Sequence, residues 1–258
     1  GSASSKTATS GIVKGRMRPT AETSVTILPT TKWEDIKPSR SFLEELRQNA
    51  EIRNAVPEIE TVISDIKLKC SELLYVDEAK PLVKEMDESD IAAVLAYTHD
   101  LNTETKDGNF YYELNNALRK RDAAGRESMM KSWGVCIHYI LRGLSKMPDY
   151  KGVLIRGLPN RTEIVKEYEL GRPIQWGAFV STTTSLEAAQ GFSDRDDGVI
   201  VMIEGGAGKK LGPLSFFPNE DEVVLPPNAI FTVSKEASSS EGWWYLELVQ
   251  QKGDLYRF

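Results

Sequence analysis

An α+β chain, helical in its first part and built of strands in its second, is predicted by three features of the sequence. Apolar residues recur at helical spacing from Ser41 to Met147. After "MPDYKG" they fall instead into short alternating runs punctuated by Gly, Pro and Asn, the signature of antiparallel strands. The two patterns come in blocks, so a doubly wound parallel sheet is excluded. With 258 residues, 40% of them hydrophobic and 27% charged, the chain can bury a sizeable core.

Taken in order, residues 1–38 are rich in Ser, Thr, Ala and Lys and read as a flexible arm or linker, within which "VTILP" could add one strand. The leading Gly1-Ser2 reads as an expression scar, so the native start lies outside the sequence. Residues 39–150 form the predicted helical lobe. Val62, Ile66, Cys70, Leu73 and Leu74 fall on one helix face, Phe110, Leu114 and Leu118 on a second, and Met130, Trp133, Ile137, Leu141 and Leu144 on a third. Residues 151–258 carry the strand runs "VLIRG", "GAFVSTTT", "GVIVMIEG", "EVVLPP", "AIFTVSKEA" and "WWYLELV". No internal repeat is present.

Several function classes are disfavoured. A net charge of −6 gives little basis for a nucleic-acid surface, and the basic "RKR" at Arg119 to Arg121 reads as a solvated helix end. Two cysteines, Cys70 and Cys136, with two histidines, His99 and His138, match no zinc-ligand spacing and leave little for Ser-His-Asp or Cys-His catalysis. Both cysteines sit in apolar helical patterns and read first as buried thiols, second as one disulfide. No run is long enough for a membrane span. "EGGAGKKLGP" fails the phosphate-loop pattern and reads as a loop between strands. Carboxylates must carry any acid–base work.

Three stretches offer that chemistry. In "FPNEDEVVLPP", strand alternation would put Glu220 and Glu222 on one face, roughly 7 Å apart, with Asp221 opposite. An acidic solvated turn is the competing reading. In "FVSTTTSLEAAQGF", Phe179, Ser181 and Thr183 share a face and Val180 and Thr182 the other; Ser181 and Thr183 are open to a hydrogen-bonding role, whereas Thr184 with Glu187 reads as a capping box. In "GVLIRGLPN", Arg156 ends an apolar strand beside Gly157, which would let a ligand approach the backbone. Arg156 could grip a phosphate or simply form a salt-bridged strand end.

Arg156-Gly157, the Ser181-Thr182-Thr183 strand and Glu220-x-Glu222, in that order, resemble the arginine-specific mono-ADP-ribosyltransferases, the R-S-E class of ecto-enzymes and bacterial toxins. "AAVLAYTHD", "YYELNNALRK" and "ILRGLSKMPDYKGVLIRG" extend the resemblance over about residues 60 to 250. It implies a helical lobe packed on a split β-sandwich of two antiparallel sheets around an NAD cleft. It also implies transfer of ADP-ribose from NAD to an arginine side chain of a target protein, with release of nicotinamide and no metal.

Carried residue by residue, the resemblance gives Arg156 to the NAD phosphates and the Gly157 backbone to the nicotinamide carboxamide. Ser181 would orient the catalytic Glu222, which steadies positive charge on the ribose. Glu220 would receive the acceptor arginine and help remove its proton, because a protonated guanidinium is not a nucleophile. Thr182 and Thr183 complete the cofactor strand. Phe192 reads first as core packing and second as a ring against nicotinamide; Phe216 and Phe217 lie in a target-recognition loop, either exposed or buried. Ile155 stands where family members often have an aromatic, and Thr183 where they often have Ser. The partners expected are NAD and an arginine-bearing protein, for a monomer with no nucleic acid and no membrane span. Two cysteines and no hydrophobic tail favour an intracellular or bacterial-type form, hence the cytoplasm, with secretion the open alternative because the native start is not visible. An NAD glycohydrolase, or a silent domain binding NAD or protein, are the alternatives. A retaining glycosidase fits poorly, because its carboxyls sit about 5 to 5.5 Å apart across a sugar.

Overall fold

A computed structural model describes residues 33–101, 105–120, 122–193 and 195–251. Helices come first: α1 (Phe42–Gln48), α2 (Ala50–Ala55), α3 (Ile59–Leu73), α4 (Lys80–Glu85), α5 (Glu88–Thr98), α6 (Phe110–Leu118) and α7 (Ala123–Lys146). Strands follow: β1 (Asp149–Leu158), β2 (Pro173–Trp176), β3 (Val180–Thr183), β4 (Val199–Lys210), β5 (Glu222–Leu225), β6 (Ala229–Ser240) and β7 (Trp243–Gln250). Two short helices interrupt them, α8 (Arg161–Glu167) after β1 and α9 (Leu186–Gly191) after β3. The α+β order read from the sequence is the order found.

Local chemistry starts the helices. Ser41 and Glu44 form a reciprocal capping box on α1, Asp87 caps α5 at the Asp90 N–H, and Asp122 caps α7 at the Gly125 N–H. The lobe closes on edge-to-face aromatics, Phe42 with Phe110 and Tyr139 at 5.9 and 6.2 Å. Helix α5 is buried on nearly every side, which its apolar "IAAVLAY" permits. Its buried Asp90 is held by Arg142 Nε and Lys146 Nζ of α7, each at 2.6 Å.

Val62, Ile66 and Leu73 are buried as the periodicity requires, but Leu74 is 58% exposed because α3 ends one residue before it. Met129, not Met130, is the residue of its pair that lies fully in the core. Both cysteines are free thiols, Cys136 buried and Cys70 half-buried. The arm assigned to 1–38, including its "VTILP" strand, lies mostly outside the described residues; its last part does not hang free. Trp33 packs edge-on against the His138 ring of α7 at 5.4 Å, and its carbonyl meets His138 Nδ1 at 2.8 Å.

The strands form a seven-stranded sheet in the order β1-β3-β5-β4-β7-β6-β2, and an added β1–β4 pairing closes β1, β3, β5 and β4 into a small barrel. The sheet is therefore continuous, and β4–β7 is a parallel pair, where two antiparallel sheets were expected. The length of β4 is the cause: it runs from Val199 through Lys210 and so contacts β1, β5 and β7. "GGAGKK" is thus strand, not loop. Gly205, at φ +64°, supplies the irregular residue that bends β4 where its register with β1 slips. Strand β2, "PIQW", was not anticipated; its Pro173 opens a short edge strand.

Alternation sorts the β3 and β5 side chains between two cores. Val180, Val223 and Leu225 point into the barrel with Leu154, Val201, Ile203 and Phe231. Phe179 and Val224 point into the core of the helical lobe. Ser181, Thr183 and Glu222 share the face of Phe179 and Val224, at the seam between sheet and helices.

Candidate active site

Strands β1, β3 and β5 are neighbours, so their polar residues converge. Ile155 pairs with Thr183 across β1–β3, and Thr183 pairs with Glu222 across β3–β5. The Arg156 guanidinium, 7% exposed, donates from Nη1 to the Ser181 carbonyl at 2.7 Å and lies over the Trp176 ring at 5.7 Å. Trp176 in turn donates from Nε1 to the Tyr168 hydroxyl at 2.8 Å. Arg156, Ser181 and Glu222 are brought together at one end of the barrel.

Burial governs the electrostatics. It pulls the Arg156 guanidinium down to about 10, and the nearby Arg119 pushes the same way while Tyr97 and Tyr168 oppose. Tyr168 is pushed up to about 12 by burial. Tyr97 is raised by burial and by the Glu222 charge, so its hydroxyl keeps its proton. Arg119, half-buried at the end of α6, is therefore no freely solvated helix end, and its charge acts on Arg156.

Glu222 is buried at the first position of β5, 4% exposed, and its Oε2 accepts from Ser215 Oγ at 3.4 Å. Ser181 Oγ lies 3.2 Å from the Tyr97 hydroxyl. Thr182, on the barrel face, donates to the Val223 carbonyl at 2.6 Å. Thr183 donates to the Glu220 carbonyl at 2.7 Å and accepts from the Ser185 N–H at 3.0 Å. Ser185, not Thr184, caps α9, accepting from the Ala188 N–H.

Glu220 does not share a strand face with Glu222. It ends a 3₁₀ turn, Pro218–Glu220, and Asp221 follows in the left-handed region at φ 46°. Pro218 cannot extend the ladder, and Asp is one of the few residue types that enter that region readily. Glu220 is consequently half-exposed at the mouth while Glu222 is buried behind it; Asp221 is exposed, 3.6 Å from Lys210.

Gly157 has a packing reason that the sequence did not reveal. A Cβ there would overlap the Ala189 carbonyl oxygen of α9 and crowd Ser193 Cβ at 3.0 Å. Phe192 ends α9 half-buried. Phe216 is half-buried against the helical core and Phe217 is half-buried beside it, so neither is a freely exposed ring.

Tyr97, Asn115, Trp176, Tyr168, Arg119 and Ser215 were missed as site residues. Asn115 accepts the Phe179 N–H at 3.1 Å, tying α6 to β3 as Tyr97 ties α5 to it through Ser181. For Tyr97 and Asn115 the signal was buried polarity on otherwise apolar helix faces; the other four lie on a strand, at helix ends or in a loop, where no local pattern marked them. Among the described residues no cluster of three or more His, Cys, Asp or Glu side chains could hold a metal ion. No helix among them is long and apolar enough to cross a membrane.

A family model described as NAD:arginine ADP-ribosyltransferase matches residues 26–254. The chain is 30% identical over 143 residues to the NAD(+)--protein-arginine ADP-ribosyltransferase Tre1 of Serratia proteamaculans, covering 55% of this chain and 28% of that protein. It spans 18%, 28% and 65% of the lengths of the curated relatives from Mycobacterium avium, Serratia proteamaculans and Vibrio splendidus that it matches. Its fold is similar to that of the ADP-ribosyltransferase HopU1 of Pseudomonas syringae, with a TM-score of 0.55 and 22% identity over 67% of this chain and 80% of that one. The Vis toxin from Vibrio splendidus gives a TM-score of 0.52 and 20% identity, over 75% and 88% of the two chains.

Proposed function

The chain belongs to the NAD:arginine ADP-ribosyltransferase family, and from that premise we propose that it transfers ADP-ribose from NAD to an arginine side chain of a target protein, releasing nicotinamide. The observation that carries the reading is the adjacency of β1, β3 and β5, which gathers Arg156, Ser181 and a buried Glu222 at one end of the barrel.

A buried guanidinium with a second one close by suits the diphosphate of NAD, and the roles follow from that fit. Arg156 grips a phosphate, and the Gly157 backbone meets the carboxamide. Ser181 and Thr183 form the wall of the cofactor pocket, Thr182 holds their strand from the barrel side, and Phe192 closes it. Glu222 supplies negative charge from a low-dielectric position, where it stabilises the positive charge developing on the ribose as the glycosidic bond breaks. Glu220, at the mouth, accepts hydrogen bonds from the acceptor guanidinium and takes its proton. Phe216 and Phe217 precede that acid and contribute to target recognition.

The split β-sandwich is the finer reading of the sheet: the barrel is one half, and β7, β6 and β2 are the other. Residues 39–258 make one catalytic unit of helical lobe and β core, preceded by an arm, and the unit acts as a monomer.

Incubation with labelled NAD, a small guanidine acceptor and a native lysate, followed by mass spectrometry, tests the proposal. ADP-ribose on arginine is the expected product. Free ADP-ribose alone would identify an NAD glycohydrolase instead, and NAD binding without turnover a silent domain.

A further inference from the structure

The C-terminal turn of α5 reaches the catalytic region with three consecutive side chains. Tyr97 meets Ser181, as described; Thr98 and His99 turn instead to the segment ahead of the acids. The Phe216 N–H donates to Thr98 Oγ1 at 3.1 Å, and Thr98 Oγ1 itself donates to the Leu95 carbonyl at 3.0 Å, which fixes its orientation. The Phe216 ring stands edge-on to the His99 ring, centroids 5.0 Å apart and planes at 88°. His99, 5% exposed, is anchored on its other side by Nε2 to Asp65 Oδ2 of α3 at 2.8 Å.

Phe216 is continuous with the turn that presents Glu220. The Phe217 N–H donates to Ser215 Oγ at 3.0 Å, and the Phe217 carbonyl accepts from the Glu220 N–H at 3.1 Å. A line of contacts therefore runs from Asp65 through His99 and Phe216 to the Glu220 turn. The Glu222 backbone has a separate support, the β3–β5 ladder, while its carboxylate meets the hydroxyl of buried Ser215, one residue ahead of Phe216.

We propose that His99, with Thr98, is a positioning residue for the acceptor side of the site: it aims the Phe216 segment, and so the Glu220 turn, at the incoming guanidine, while leaving nicotinamide release to Glu222. The inference rests on the arginine-transferase reading and deepens it. Loosening Phe216 should misplace Glu220 and spare Glu222, so transfer and hydrolysis should separate.

The test measures NAD hydrolysis and transfer to a small guanidine acceptor for wild type, His99→Ala, His99→Phe, Phe216→Ala and the double variant His99→Ala/Phe216→Ala. His99→Ala should lower the transfer-to-hydrolysis ratio about tenfold, through a raised KM for the acceptor with KM for NAD held, and should add little once Phe216 is already Ala. His99→Phe keeps the ring edge against Phe216 and should recover most of the ratio. Should His99→Ala not fold, Thr98→Val, which drops only the hydroxyl facing the Phe216 N–H, carries the same expectation. Parallel loss of hydrolysis and transfer in step with thermal stability, or a full His99→Ala effect on the Phe216→Ala background, overturns the proposal. Wild-type transfer with an unchanged ratio in His99→Ala overturns it alone; wild-type hydrolysis with no transfer removes the arginine-transferase reading and this inference with it.

Discussion

The hydroxyls of Tyr97 and Ser181 lie 3.2 Å apart in a buried site, joining residues 84 positions apart in the chain. This contact ties helix α5 to the strand that bears the family's serine. Removing the Tyr97 hydroxyl leaves the Ser181 rotor with less to hold it, at a net cost of about 1 kcal/mol for the lost hydrogen bond. Tyr97→Phe is therefore expected to lower kcat several-fold while the protein stays folded, which steady-state kinetics and thermal melting check together.

Gly157 gives the second prediction. Because a Cβ would run into the Ala189 carbonyl, a backbone atom that cannot swing away, Gly157→Ala should force α9 off the sheet. A loss of about 1–3 kcal/mol is expected from such overpacking, read as a fall in denaturant midpoint. Unchanged stability with lost NAD binding would mean that the glycine serves the ligand alone.

Arg156 should behave in the opposite way. Its folded value of about 10 lies below the ordinary guanidinium range, so the folded state binds this proton less tightly than the unfolded chain does. The resulting penalty is present in full at neutral pH and is relieved as pH rises through about 10. Arg156→Met, which deletes that buried charge, should match wild type in the NAD-free melting temperature at neutral pH. Its affinity for NAD, measured by calorimetry, should fall by at least about tenfold, the worth of a charge-assisted hydrogen bond. A marked fall in melting temperature with NAD affinity retained would make Arg156 a structural residue.

Lys209 is the structural contrast. Buried on β4, it donates to the Met147 and Ser145 carbonyls at 3.0 and 3.3 Å and pairs with Asp149 at 2.7 Å, so it closes the C-terminal end of α7. Lys209→Met strands those carbonyls and should cost about 1.5–3 kcal/mol, while the transfer-to-hydrolysis ratio stays at the wild-type value. Chemical denaturation and the paired activity assay check both halves.

What could be read in the sequence was what local pattern carries. Period marked the helices and strands; polar residues on apolar strands raised Arg156, Ser181 and Glu222 as candidates, and only the family resemblance gave them roles. What could not be read depends on partners distant in the chain. Tyr97 and Asn115 belong to helices whose apolar period conceals two buried polar groups, and only packing against β3 gives those groups a purpose. Gly157 suggested a ligand because α9, which fills the space above it, is placed by tertiary contacts. Strand alternation misplaced Glu220, since Pro218 and Asp221 turn the chain before β5 begins. The parallel β4–β7 pair depends on strand order, which no local run encodes.

The central claim is that the two glutamates divide the work, Glu222 for breaking the nicotinamide bond and Glu220 for the acceptor. Assay of Glu222→Gln and Glu220→Gln with labelled NAD and a small guanidine acceptor tests it most directly. Glu222→Gln is expected to abolish both hydrolysis and transfer, and Glu220→Gln to lose transfer while retaining a measurable share of hydrolysis. Undiminished transfer by Glu220→Gln, or continued hydrolysis by Glu222→Gln, would contradict the account.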